Sequence, residues 1–459
     1  MSQQLQKSLQ LRHLTMIAFG GSIGAGLFVG SGALIKITGP AAVISALIAG
    51  TLVIMIMRML GEMVVAKPTL GSFSDYAREA LGNWAGFSVG WLYWYFWVIV
   101  IAVEAIAGAA ILREWLFPNT PLWLLNLLIM VSLTITNLFS VRAFGEFEYW
   151  FSLIKIVAIV LFLILAGAFV LGLLPNTTRD FSNLTAHGGF APLGYSAAFL
   201  AVATIIFSFV GSEVVTIAAA ESAESEKGVV RAVNSVIVRI MMFYVGSVFL
   251  VVMIVPWTDH QALVNPYVSA LKNIGIPYAD QIMNLVIVTA VLSCLNSGIY
   301  TSSRMLFALA DKGDAPQSIK KLSKNGVPVR AILSCTVFGF ISVAMAFISP
   351  ETVFQFLLNS SGAIAIFVYL FIAVSQLILR KKYTKECPER LKVKMWFYPY
   401  LTILTITAMS CIVITMAFNP ATRSQLYLSI LSVVVVLVLF HIKNVITARK
   451  SKTFIKAKA

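Results

Sequence analysis

Two glycine-marked breaks in apolar segments, and five ionisable residues set among apolar neighbours, are where this 459-residue chain could do chemistry. The first break is Gly20-Gly21-Ser22-Ile23-Gly24-Ala25-Gly26. Glycine costs roughly 1 kcal/mol per residue in a helix interior relative to alanine, so this cluster predicts an unwound stretch. A half-helix restarting near Gly24 presents free N–H groups and the positive end of its dipole. Both suit a carboxylate, and the expected contacts are Ser22, Ile23, Gly24, Ala25, Gly26 and Leu27. The second break is Ile206-Phe207-Ser208-Phe209-Val210-Gly211-Ser212-Glu213. There the preceding half-helix ends in carbonyls at Ile206, Phe207, Ser208 and Phe209, with Gly211 at the turn, and these suit an ammonium. One break for each charge defines a zwitterion, an amino acid. Phe207 and Phe209 are either a cover for that ligand or ordinary packing.

The ionisable residues are Arg58, Glu62, Glu104, Lys155 and Glu213. Each costs about 2.5–3.5 kcal/mol at the centre of an isolated membrane helix, so each should face protein and have a partner. Arg58 and Glu62 stand four residues apart and are expected to pair with each other, as a structural ion pair or part of an inner gate. Glu104 shares a helical face with Trp97, Ile101 and Gly108. It fits a proton carrier, a contact to a cationic group, or a permanently neutral carboxyl bonded to a neighbouring helix. Lys155 fits either a side chain snorkelling to the inner surface or a buried ammonium whose proton comes and goes. Glu213 follows the second break and is expected to tie down N–H groups freed there.

Composition supplies the elements that must position these residues. The chain is 59% hydrophobic and 12% charged, with a mean hydropathy of +0.89. A soluble domain averages about 25% charged residues, so the expectation is an all-α integral membrane protein. We expect twelve transmembrane helices, near residues 15–37, 40–65, 84–111, 121–141, 150–174, 196–219, 236–256, 278–307, 330–349, 351–379, 396–418 and 425–446. Helices one and six are then discontinuous, and paired weak segments in two halves point to an inverted-repeat transporter with its site at the breaks. The net charge of +15 does not imply nucleic acid. With the N-terminus inside, only Lys36, Arg113, Arg179, Lys272 and Arg423 fall outside, besides Arg58 and Lys155 within spans. That asymmetry is the positive-inside rule, and it puts both termini in the cytoplasm.

No cleavage signature precedes the first span, so it is expected to be retained. The segment around Ser72 to Ala77 has helical spacing and should lie along the inner interface. The basic run Arg380-Lys381-Lys382 reads as a topology anchor, and the tail from Arg449 to Lys458 as a mobile one. Cys294, Cys335, Cys387 and Cys411 suggest neither a disulfide framework nor a zinc site. The four histidines, His13, His187, His260 and His441, lie outside mid-membrane positions, which argues against an embedded enzyme. An ion channel would not need two opposed breaks.

The residues also carry a resemblance. Gly24-Ala25-Gly26-Leu27-Phe28-Val29-Gly30-Ser31, Ile56-Met57-Arg58-Met59-Leu60-Gly61-Glu62-Met63, Gly90-Trp91-Leu92-Tyr93-Trp94, Phe207-Ser208-Phe209, Ser293-Cys294-Leu295-Asn296-Ser297, Ser303-Arg304-Met305-Leu306 and Ser360-Ser361-Gly362-Ala363-Ile364-Ala365 resemble the bacterial amino acid transporter family of the amino acid–polyamine–organocation superfamily. Within it they are most similar to the 4-aminobutyrate (GABA) permeases. The resemblance implies one polytopic domain over 1–459: a five-plus-five inverted repeat (1–175 and 190–380), two additional helices (396–446) and a basic cytoplasmic tail (447–459). It implies uptake coupled to protons rather than sodium, with no other cofactor. Lys155 then matches a lysine that fills the sodium position of sodium-coupled relatives, and Glu104 matches a recurrent glutamate of the third span. Gly26 stands where some GABA permeases have serine, which leaves the substrate open.

The expected function is a proton-coupled symporter importing GABA or a related amino acid across the bacterial inner membrane. The alternatives are the same mechanism for a neutral or aromatic α-amino acid or proline, a sodium-coupled carrier, or an exchanger. Partners are the small-molecule substrate and the bilayer, with no nucleic acid. The sequence does not specify an oligomeric state.

Overall fold

A computed structural model describes residues 8–458 except 22, 29, 176, 178, 223, 349–356, 358–360, 362 and 421. Ser22 and most of the first third of the expected tenth span therefore lie outside the described residues. All regular structure among the described residues is helical, apart from one isolated bridge, Leu9 to Ser222.

The first expected span divides into α1 (Leu11–Gly20), α2 (Ala25–Phe28) and α3 (Gly30–Thr38). A single 3-10 turn at Gly39–Ala41, with Pro40 near its start, connects α3 to α4 (Ala42–Ala66). The segment beginning at Ser72 is helical, as its spacing predicts: α5 (Phe73–Leu81) buries Phe73, Tyr76 and Ala77. Then come α6 (Asn83–Trp115), α7 (Leu122–Phe139) and α8 (Val141–Val170). The Ser140 hydroxyl caps α8 by accepting the Ala143 N–H at 3.0 Å, satisfying one donor of its open first turn. This cap starts α8 nine residues before the expected span boundary of 150.

The sixth span is divided like the first, into α9 (Tyr195–Leu200), α10 (Val202–Ile206), a 3-10 turn at Phe207–Phe209, and α11 (Val214–Ala218). After it, α12 (Ser225–Val238) and α13 (Ser247–Ile254) flank a π-helical stretch at Arg239–Gly246. The remaining helices are α14 (Pro266–Ile274), α15 (Ala279–Asp311), α16 (Val329–Ile348), α17 (Ile364–Glu386), α18 (Tyr400–Phe418) and α19 (Arg423–Lys458). The tail from Arg449 continues α19 to Lys458, since Lys, Arg and Ala favour helix and neither Gly nor Pro interrupts them.

Ten helices among the described residues are long and apolar enough to cross a membrane. One run, Gly26–Ala66, holds the second half of the first expected span together with the second span, and the apolar stretch Val329–Met345 of α16 is shorter. The bundle is apolar on its outer surface as well as in its core. Ile164, Leu161 and Val157 of α8 are exposed, while Glu148, Ser152 and Lys155 on its opposite face are buried. Exposed apolar surface on this scale requires lipid rather than water around it. At the centre, α6 packs along α15, α1 packs on α8, and both α2 and α11 pack on α15.

Candidate functional site

The two breaks cross each other. Gly211 has φ +109, a conformation rarely adopted by residues with a side chain. A Cβ there would lie 2.1 Å from the Gly21 carbonyl oxygen, and one on Gly21 would lie 2.8 Å from the Gly211 oxygen. Backbone thus meets backbone, and only glycine admits that approach. The second break is held open by Glu213, which is fully buried. Its carboxylate accepts the Gly211 N–H at 3.2 and 3.3 Å, the Tyr93 hydroxyl at 2.9 Å and the Tyr369 hydroxyl at 3.2 Å. Glu213 thus ties down the freed backbone, as its position after the break suggests.

A cavity lies where the breaks meet. It is lined by Gly21, Gly24 and Gly26 from the first break, Phe207, Ser208 and Val210 from the second, Phe96, Trp97, Val100 and Glu104 of α6, and Cys294 of α15. A Cβ on Gly24 would meet nothing within 4 Å, so the backbone here faces open space. Leu27 donates to the Gly24 carbonyl at 3.2 Å, which leaves the amides of Gly24, Ala25 and Gly26 ahead of the first intrahelical bond of α2. The Phe207 carbonyl accepts the Val210 N–H at 3.1 Å, and the Ser208 carbonyl accepts the Tyr244 hydroxyl at 2.6 Å. Each carbonyl keeps a second lone pair.

Not every expected contact reaches this cavity. Ile23, Leu27 and Ile206 are buried in packing and do not line it. Phe209 packs on Tyr244, ring centroids 4.3 Å apart, so of the two candidate covers only Phe207 lines the space, edge-on to Phe96 at 5.7 Å. Glu104 lines it directly, and its Oε2 has no hydrogen-bond partner among the described residues. Phe96, Val100 and Cys294 were not legible as lining. Their register follows from how α6 and α15 rotate against the breaks.

Lys155 is buried at 1% exposure, so it does not snorkel. Its Nζ donates to the Gly20 carbonyl at 2.7 Å and to Ser293 Oγ at 2.8 Å. The lysine therefore joins the end of α1 to α15 from its seat on α8. Glu148 was missed because the span was begun at residue 150; it is buried inside α8, and Ser293 donates to its Oε1 at 2.5 Å.

The expected Arg58–Glu62 pair does not form. Glu62 is held by Arg380, by Gln376 at 3.0 Å and by the Met395 N–H at 2.6 Å. Arg58 donates to the Lys394 carbonyl at 2.8 Å and Asn234 Oδ1 at 3.0 Å, and stacks over Trp396. The spacing allows the pair, but α17 and the 394–396 loop offer geometry that a flexible neighbour on the same helix cannot match. Arg380→Ala should therefore destabilise the fold by about 3–5 kcal/mol, because Glu62 is left buried without its cation. A thermal midpoint in detergent unchanged by that substitution would contradict this account.

The chain matches the family model for amino acid permeases over residues 13–456. It is 56% identical to the gamma-aminobutyric acid permease of Bacillus subtilis (strain 168), over 93% of this chain and 91% of that protein. It is 47% identical to the gamma-aminobutyric acid permease of Escherichia coli (strain K12), over 92% and 91%. Its identity to the aromatic amino acid transport protein AroP of Corynebacterium glutamicum is 41%, over 93% and 92%.

Proposed function

This chain belongs to the amino acid permease family, and we propose that within it the protein imports GABA together with protons. It is an amino acid transporter of the cell membrane and not an enzyme. The observation that carries the substrate reading is the cavity between the crossed breaks, with glycine backbone on one wall and Glu104 on another. The carboxylate docks on the amides around Gly24 to Gly26. The ammonium takes the second lone pairs of the Phe207 and Ser208 carbonyls. The Glu104 carboxyl faces the same space. The names of the relatives at 56% and 47% identity support GABA as the ligand.

Under this reading the fold is twelve transmembrane helices, a five-plus-five inverted repeat with two helices added, and both termini cytoplasmic. The paired breaks at Gly21 and Gly211 support the repeat. Lys155 carries the coupling proton, with Glu104 as a second candidate, and its charge biases the balance between outward- and inward-open states. A bound ligand shifts that balance only through its differential affinity for the two states.

The test is uptake of labelled amino acids into proteoliposomes, each competed by the others, with and without an inward pH gradient. GABA should be the strongest competitor and its accumulation should need the gradient. Stronger competition by phenylalanine would move the substrate to the aromatic class. Gradient-independent uptake would remove proton coupling.

A further inference from the structure

We propose that Glu148, acting through the Ser293 hydroxyl, is the inner station for the proton carried by Lys155. This rests on the proton-coupled reading above and adds the route by which the proton leaves. The buried face of α8 repeats at helical spacing and includes Gly145, Glu148, Ser152, Lys155 and Ile159. Glu148 is two turns nearer the start of the helix than Lys155, about 10 Å at 1.5 Å per residue. That end carries the polar groups Arg12, His13 and Glu146, joined by the Arg12–Glu146 and His13–Glu146 contacts. His13 also packs on Gly145, where a Cβ would lie 2.9 Å from its Nδ1.

The hydroxyl between the two charged groups supplies the path of transfer. Lys155 Nζ donates to Ser293 Oγ at 2.8 Å, and Ser293 Oγ donates its one hydrogen to Glu148 Oε1 at 2.5 Å. When the proton moves, a Lys155 N–H bond breaks as a Ser293 O–H bond forms, and the original Ser293 O–H bond breaks as a Glu148 O–H bond forms. The ammonium becomes an amine and the carboxylate a carboxylic acid, with no change in total charge. Ser152 adds a weaker contact to Oε1 at 3.4 Å. Glu148 Oε2 is buried and has no hydrogen-bond partner among the described residues, an acceptor left open for onward transfer. The other titratable groups around Lys155 are Cys294 on α15 and Glu104 on α6. Both line the cavity, so Glu148 is the neighbour on the side away from the substrate. α1 supplies the Gly20 carbonyl, which accepts from Lys155 but cannot take its proton.

The experiment uses the full chain in proteoliposomes with labelled GABA, and labelled phenylalanine as a second probe. Wild type, Glu148→Gln, Glu148→Asp and Ser293→Ala are each measured for counterflow at equal pH and for accumulation under a pH step. We expect Glu148→Gln and Ser293→Ala still to exchange label but to lose accumulation, and Glu148→Asp to regain part of it with a displaced pH profile. Wild-type accumulation by either of the first two variants overturns the inference and leaves proton coupling standing. Loss of counterflow in both variants also overturns it, by assigning the pair to structure. Should Glu148→Gln fail to fold, Ser293→Ala decides alone, since it removes one hydroxyl from a packed helix. A wild type that ignores the pH step overturns the coupling reading and this inference together.

Discussion

Lys155→Ala is expected to abolish accumulation driven by a pH gradient while exchange of labelled for unlabelled substrate continues. A carrier moving one proton per substrate concentrates its substrate about tenfold for each unit of pH difference, since a factor of ten corresponds to about 1.4 kcal/mol. The variant should reach an inside-to-outside ratio near one. The reason is geometric. The ammonium ties the Gly20 carbonyl at the end of α1 to Ser293 of α15, so its charge state decides how firmly that half-helix is held. Alanine removes both bonds and the group whose protonation could differ between states, whereas the cavity walls keep their atoms. Accumulation at the wild-type ratio would remove Lys155 from coupling.

Gly211→Ala is expected to cost both uptake and stability. The added carbon would fall 2.1 Å from the Gly21 oxygen, at a residue with φ +109. Strain of this kind costs on the order of 1–3 kcal/mol even where space is available, and here a backbone atom blocks the space. The two breaks must separate, and the cavity between them loses its shape. Uptake should fall below a tenth of wild type, because a loss of about 1.4 kcal/mol already costs a factor of ten, and the thermal midpoint should drop. Gly24→Ala is the control for stability, since its Cβ would meet nothing within 4 Å, and it should leave the midpoint in place. Equal uptake by Gly211→Ala and wild type would mean that the crossing is not required.

Much of this site was legible before any coordinates. The glycines at 20, 21, 24 and 26 announce a break because helix penalties are local, and Gly211 with Glu213 announces another for the same reason. The burial of Glu104 and Lys155 follows from the cost of charge in lipid. The misreading of Glu62 depended on neighbours far along the chain, that of Glu148 on a helix cap close by. Glu62 had a candidate partner four residues away, yet its partners are Gln376, Arg380 and Met395, more than 300 residues on. The expected span begins at 150 and leaves Glu148 outside it, whereas the Ser140 cap starts the helix at Val141.

The chain alone therefore determined the class of the protein, the positions of its two breaks and the need to bury Glu104, Lys155 and Glu213. These follow from local backbone preference and from the solvation of single residues. Only the tertiary structure decided that the breaks cross at Gly21 and Gly211, that Phe207 faces the cavity while Phe209 turns to Tyr244, and that Ser293 joins Lys155 to Glu148. Those outcomes depend on the rotation and register of α6, α8 and α15 against one another, which packing between distant segments sets and residue type does not.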